Sequence, residues 1–307
     1  RDQLDRYGEV DSVVRKWQQS LEKIDWETAV VVNGGDNHTW SLTRSIKYLK
    51  SNIKFYEFRV KDHQPAQEKI ITQRQKHQDD FVAEITENKG FLGLEFNLKF
   101  PEEKLKINLP VPGIYHVYDF LAASSAYRLL NLPLKDINDA LQGYLPAFGR
   151  VEKIVLTPPG RKHKIEAFIF LIKNPAGAAE VLDTIMPEMK ANDRLLIALN
   201  DNLADGTDVS WIWDVNFEVF RNSSHSKLRN LIVCSGNRAA DMAVRLKYAS
   251  IQPECIHLAP DIAAALNQVQ SGLTGRLFIL PTYTALLRLQ QILAKRGIKK
   301  HYWKETL

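Results

Sequence analysis

At 307 residues the chain is long enough for two domains of ordinary size. Its 45% apolar and 25% charged content is that of a globular protein, and no apolar run approaches the ~18 residues that span a bilayer. The net charge of +5 is modest and dispersed, except in "KRGIKKHYWK" at 295–304. That short tail reads as a solvated terminus, so no nucleic-acid partner is expected.

Two cysteines, Cys234 and Cys255, exclude a disulfide framework and a four-cysteine zinc site. Both lie in apolar strand-like stretches and read as buried free thiols. No signal-peptide pattern opens the chain, and a cytoplasmic protein fits best. The opening "RDQLDRYGEVD" has no Met and reads as the inside of a longer protein.

In chain order, Val10, Val13, Val14, Trp17, Leu21 and Ile24 recur at helical spacing and predict a helix over 9–25. "TAVVVNGGDN" reads as a buried strand ending in a Gly/Asp/Asn turn. Residues 60–80 are polar and read as a surface connection. "DFVAEITENKGFLGLEFNLKF" reads as a hairpin about "ENKG", and "KLKINLPVPG" as a further strand. Helices are expected over 115–131 and 134–144. Beyond about residue 146, strand-like "EAFIFLI", "RLLIAL", "NLIVCSG" and "RLFILP" alternate with helical stretches at 176–190, 238–249, 260–270 and 283–296. Such alternation predicts a mostly parallel sheet with helices on both faces, whose ligands gather outside the carboxyl ends of the strands.

Four groups are candidates for chemistry. In "IKNPAG", Lys173 and Asn174 stand between a strand and a helix start, where free N–H groups favour an anion; an ordinary capped turn is the alternative. In "FGRVEK", Arg150 lies on the boundary between the two halves, as a phosphate clamp or as one half of an ion pair with an acid such as Glu152. "LNDNLADGTDVSWIWD" (199–214) sets Asp201, Asp205, Asp208 and Asp214 after a core strand. These acids suit Mg²⁺, the orienting of a histidine, or an Asx-rich loop bonded to its own backbone. Trp211 and Trp213 read as core or interface anchors. The opening stretch offers Asp2, Asp5 and Asp11, for which acids favoured at a helix N-terminus are the plain reading. There is no G-x-x-x-x-G-K-[ST] phosphate loop.

Together "RDQLDRYGEVD", "FGRVEK…IKNPAG", "LNDNLADGTDVSWIWD" and "CSGNRAADMAVRLKYA…LPTYTAL" resemble, in order and spacing, the MurT family: Mur-ligase-like subunits of lipid II isoglutaminyl synthase. The resemblance covers about residues 1–291. It implies an α/β fold: a partial Mur-ligase central ATPase domain over 1–146, lacking the phosphate loop, then a Rossmann-like C-terminal α/β domain over 147–307 with a mostly parallel sheet. It implies a carbon–nitrogen ligase that uses ATP and Mg²⁺ to activate the D-glutamate α-carboxylate of the lipid II stem peptide as an acyl phosphate. Ammonia would come from a GatD-like class I glutaminase partner. Carried over residue by residue, Asp208 matches the aspartate that completes the partner's glutaminase triad. Arg150 matches the interdomain arginine that faces the nucleotide phosphates in Mur ligases. Lys173 and Asn174 match the motif at the cleft end of the C-terminal domain and are assigned with it to nucleotide or phosphate binding. Asp2 and Asp5 match the segment beside the nucleotide and metal. The chain departs from the pattern in three ways. The phosphate loop is missing. Residues 60–80 hold no cysteine, so no structural zinc is expected. His116 and Asp119 stand where Mur ligases carry an Asn-x-x-Asn for the adenine. A non-catalytic scaffold that binds and completes a glutaminase is the alternative reading.

Overall fold

The computed structural model describes residues 9–61, 81–100, 103–133, 137–142, 144, 150–157, 164–222 and 231–299. Two compact units separate, one within Gly8–Leu145 and one within Pro146–Leu307. The expected connection at 60–80 and the residues Asp2 and Asp5 lie almost wholly or wholly outside the described residues.

The first unit runs α1 (Val10–Glu22), β1 (Thr28–Asn33), α2 (Asn37–Leu49), β2 (Ile53–Val60), β3 (Phe81–Asn88), β4 (Leu94–Lys99), β5 (Lys104–Leu109), α3 (Ile114–Leu129) and α4 (Ile137–Gln142). Its sheet has the order β1-β2-β3-β4-β5, parallel from β1 to β3 and antiparallel from β3 to β5. Strand alternation divides the faces. Leu94, Phe96 and Leu98 of β4 enter a core with Phe58, Val60, Ile107 and, from α3, Val117 and Leu121. On the opposite face Glu84 accepts from Lys61 at 2.6 Å and pairs with Lys99 at 2.9 Å, which hold its carboxyl down to about 2. The hairpin closes through Gly93, at a φ of 112°, where a Cβ would sit 1.9 Å from the Leu109 carbonyl oxygen.

The stretch expected to be a buried strand, β1, is instead at the sheet edge among the described residues, half-buried with Ala29 exposed. Its "NGGDN" turn also does more than reverse the chain. Asn33 Oδ1 accepts from the Gly35 N–H at 2.9 Å, and Asp36 caps α2 by accepting from the Thr39 N–H at 2.8 Å. Leu42 and Ile46 of α2 then bury against Ile53 of β2.

The second unit runs β6 (Arg150–Leu156), β7 (Ile165–Phe170), α5 (Pro175–Ile185), β8 (Arg194–Ala198), β9 (Ile232–Ser235), α6 (Ala239–Tyr248), β10 (Ile256–Leu258), α7 (Ile262–Gln270), β11 (Leu277–Pro281) and α8 (Tyr283–Lys295). The sheet order is β10-β9-β8-β11-β7-β6, with β6 antiparallel and every other pairing parallel. All residues of β9 and β11 are buried, as continuous apolar runs covered on both faces must be. Burial pushes the Cys234 thiol in β9 up to about 12, so it is inert. Cys255 is also buried, but it ends a short 3₁₀ turn rather than lying in a strand.

At the amino ends of the strands, Asp193 is 1% exposed and accepts from the Arg276 backbone N–H at 2.7 Å and the guanidinium at 2.8 Å. The Lys190 N–H also donates to it, at 2.8 Å. This buried pair fastens β8 to β11 at the end opposite the candidate site.

Candidate functional site

Within the second unit, the polar motifs gather at the carboxyl ends of the strands. Four segments meet there: 199–210 after β8, Gly236–Arg238 after β9, Ala259–Pro260 after β10, and Thr282–Thr284 after β11. Gly236 has a φ of 89°, and a Cβ there would sit 2.3 Å from the Leu199 carbonyl oxygen. Only glycine allows this approach. It lets the Asn237 N–H donate to Asn200 Oδ1 at 3.0 Å and the Asn237 amide to Asp201 at 2.6 Å. Arg238 stands 3.5 Å from Asp201 and 3.2 Å from Asp241.

Asp205 is 5% exposed. Its Oδ1 accepts from the Thr284 backbone N–H at 2.7 Å and its Oδ2 from the Thr284 hydroxyl at 2.5 Å. Asn200 and Asn202 both donate side-chain amides to the same hydroxyl at 2.8 Å. Asp201 and Asp205 are therefore occupied in shaping the loop, which is the Asx-loop alternative for these two residues.

Beyond Asp205 the chain reverses at Gly206, at a φ of 90°, and Asp208 emerges exposed. Its Oδ1 accepts from the Ser210 N–H at 2.8 Å. Hydrogen bonding by Ser210, from the backbone first and the side chain second, holds this carboxyl below the ordinary carboxylate value. A short 3₁₀ helix, Ser210–Trp213, follows. Arg245 of α6, itself buried, fixes that turn. Its Nε donates to the Ile212 carbonyl at 3.1 Å, its Nη2 to the Val215 carbonyl at 2.6 Å, and its fork grips Glu218 at 2.9 and 3.0 Å. The guanidinium also lies 5.5 Å from the Trp213 ring centre. Trp211 is buried as an anchor, whereas Trp213 is half exposed and meets Tyr248 edge-on at 5.4 Å.

The other sequence-predicted residues are described each in its own element. Asn174 caps α5, its Oδ1 accepting from the Gly177 N–H at 2.7 Å, with Pro175 in the first turn. Lys173 is exposed beside it, after β7. Arg150 opens β6 opposite Phe170, with its side chain outside the described residues. Its neighbour Glu152 pairs with Lys299 at 2.6 Å and accepts from Gln290 at 2.8 Å. His116 belongs to the first unit, buried in the first turn of α3, with Nδ1 2.8 Å from the Pro112 carbonyl. Asp119 is exposed one turn on. Among the described residues no three His, Cys, Asp or Glu side chains form a metal-ligand set. Asn174 and His116 each hold a backbone group of their own unit. Nor is any described helix long and apolar enough to cross a membrane.

Residues 171–286, which contain the Asp208 loop and the residues that hold it, match the MurT ligase C-terminal family. The chain is 26% identical over 320 residues to the Streptococcus pneumoniae subunit MurT of lipid II isoglutaminyl synthase (glutamine-hydrolyzing). It is 26% identical over 316 residues to the Staphylococcus aureus MurT subunit. This chain is MurT-like. The two matches take in 97% and 93% of it, and it spans 69% and 66% of those MurT subunits. MurF from Acinetobacter baumannii shares the fold, at a TM-score of 0.64 and 16% identity over 97% of this chain and 57% of MurF. The MurT-like stretch "LNDNLADGTDVSWIWD" thus lies inside the matched domain, and so do Thr284 and Arg245, whose supporting roles single-residue motif reading did not find. Their signal lay in "PTYT" following a buried parallel strand and in an Arg on the apolar side of α6.

Proposed function

We propose that this MurT-like chain is the Mur-ligase-like subunit of a glutamine-dependent amidotransferase that amidates the D-glutamate α-carboxylate of the lipid II stem peptide. Residues 1–146 then belong to its central domain and 147–307 form its C-terminal domain. The observation that carries the reading is Asp208, a carboxylate exposed on a loop whose neighbours are tied down, itself oriented by the Ser210 N–H. A class I glutaminase of the GatD type makes a thiolate with a histidine, and that histidine needs an acid to fix its tautomer and stabilise its charged form. An acid that is exposed, fixed and ionised serves a histidine on another chain. Ammonia released there attacks a phosphorylated carboxylate, expels phosphate and leaves the amide; ATP supplies the phosphoryl group, because a free carboxylate is a poor electrophile. ATP, Mg²⁺, lipid II at the membrane surface and a cytoplasmic location belong to this reading of the whole assembly. Lys173 and Arg150 are the cations that this reading assigns to phosphate.

The second reading, a scaffold that completes a glutaminase without ATP chemistry, draws support from Asn174 and His116 being occupied by backbone partners. Co-expression with a GatD-type glutaminase and an assay of ATP- and glutamine-dependent amidation of lipid II separates the two. Amidation supports the ligase. Full glutaminase activity with no amidation and no nucleotide binding supports the scaffold.

A further inference from the structure

Helix α8 begins without help from its own N-cap. Thr282 makes no side-chain capping bond, and its hydroxyl instead accepts from the Asn200 N–H at 3.0 Å. The free N–H of Thr284, in the first turn, is taken by a carboxylate from a different segment: Asp205 Oδ1, at 2.7 Å. A helix N-terminus favours a negative charge, and a nearly buried carboxylate needs donors. Each therefore fixes the other. The Thr284 hydroxyl is the hub, donating to Asp205 while accepting from Asn200 and Asn202. Two residues, Gly206 and Thr207, separate Asp205 from Asp208, with Gly206 turning the chain between them. One acid points inward onto α8 and the other is exposed to solvent.

We infer that Asp205 and Thr284 form a latch that positions Asp208. This inference rests on the reading of Asp208 as the acid presented to the partner's histidine. Neither latch residue touches the reacting atoms; both act as positioning residues through the loop they hold. Thr284→Val removes the hydroxyl while keeping the side-chain shape, and leaves Asp205, Asn200 and Asn202 short of a partner. Thr284→Ser keeps the hydroxyl. The loop then loses its fixed position in the first variant only.

The test uses the assembled complex with a GatD-type glutaminase and compares wild type, Thr284→Val, Thr284→Ser and Asp208→Asn by ammonia release from glutamine at saturating partner. Thermal melting of each variant checks that it is folded at the assay temperature. The latch predicts that Thr284→Val lowers kcat roughly tenfold to a hundredfold, the penalty of a reacting group displaced by about an ångström. Glutamine KM and affinity for the partner stay within threefold, and Thr284→Ser restores kcat. Normal kcat in Thr284→Val with depressed kcat in Asp208→Asn overturns the latch and leaves the reading of Asp208 standing. Normal kcat in both overturns that reading and the latch with it. A loss in Thr284→Val that Thr284→Ser does not restore, or one traced to failed partner binding, also overturns the latch.

Discussion

The Ser210 N–H holds the Asp208 carboxyl below its ordinary value and in one place, and that N–H belongs to the turn that Arg245 braces. Arg245 satisfies two carbonyl oxygens and one carboxylate from a buried position. Lysine has one point charge where this site uses a planar fork, so Arg245→Lys is not a conservative change. Arg245→Ala takes the donor from the Ile212 carbonyl, removes one of two from the Val215 carbonyl, which keeps the Phe217 N–H at 2.9 Å, and releases Glu218. It is expected to cost about 2–4 kcal/mol in urea unfolding of the chain. A loss under about 0.5 kcal/mol would mean the 3₁₀ turn is held elsewhere. At the far end of the same sheet, Asp193→Ala removes the acceptor of the Arg276 and Lys190 N–H groups and of the partly exposed Arg276 guanidinium, and should cost about 2–3 kcal/mol by the same measurement. Because it lies away from Asp208, its folded fraction should retain glutaminase-completing activity.

Among the elements, α5 carries a test by pH. Glu180 is half-buried, and burial first, with Asp183 second, raises its carboxyl from 4.5 to about 6. Below the unfolded value both states hold the proton and nothing is lost. Between about 4.5 and 6 the unfolded chain gives up its proton first, so stability falls across that window and stays lower above it. Glu180→Gln, which mimics the protonated form, should raise the melting temperature at pH 7 and leave it unchanged at pH 4. The gain is on the order of 1 kcal/mol after allowance for solvent screening. An equal shift at both pH values would contradict the burial argument. Elements with a clear period were legible from the sequence: α1, the β3–β4 hairpin, α3, and the strands β7, β8, β9 and β11 with the helices between them. Reading by period passed over α2, whose start is hidden in a Gly-rich turn that also serves as a cap. It passed over β10, which has three residues, and β6, whose antiparallel pairing with β7 has no local signature and contains a bulge after Arg150. It placed β1 in the interior from its Val run, although position in a sheet depends on neighbours that composition does not record.

At the scale of the molecule, the candidate site was legible only in part. The strand–helix alternation pointed to the carboxyl end of the second unit's sheet, where ligands of such sheets gather, and the resemblance to the MurT family singled out Asp208 among the acids there. What supports Asp208 was not legible. The partners of Asp205 and Asp201 lie 79 and 36 residues away along the chain. Lys173 and Asn174 looked alike as anion ligands, and the structure separates them by giving Asn174 a helix to cap. The chain's similarity to MurT subunits covers nearly all of it but about two thirds of their length, so the ligase chemistry is tested on the assembly rather than on this chain.

The central claim is that Asp208 lends its carboxylate to a histidine of the partner. The measurement that tests it most directly is the glutaminase kcat of the complex carrying Asp208→Asn, beside wild type, at saturating glutamine and partner. The account predicts a fall of roughly 10²–10⁴-fold, as for a triad whose acid is made neutral, with partner affinity unchanged. A kcat equal to wild type in a fully assembled complex would contradict it.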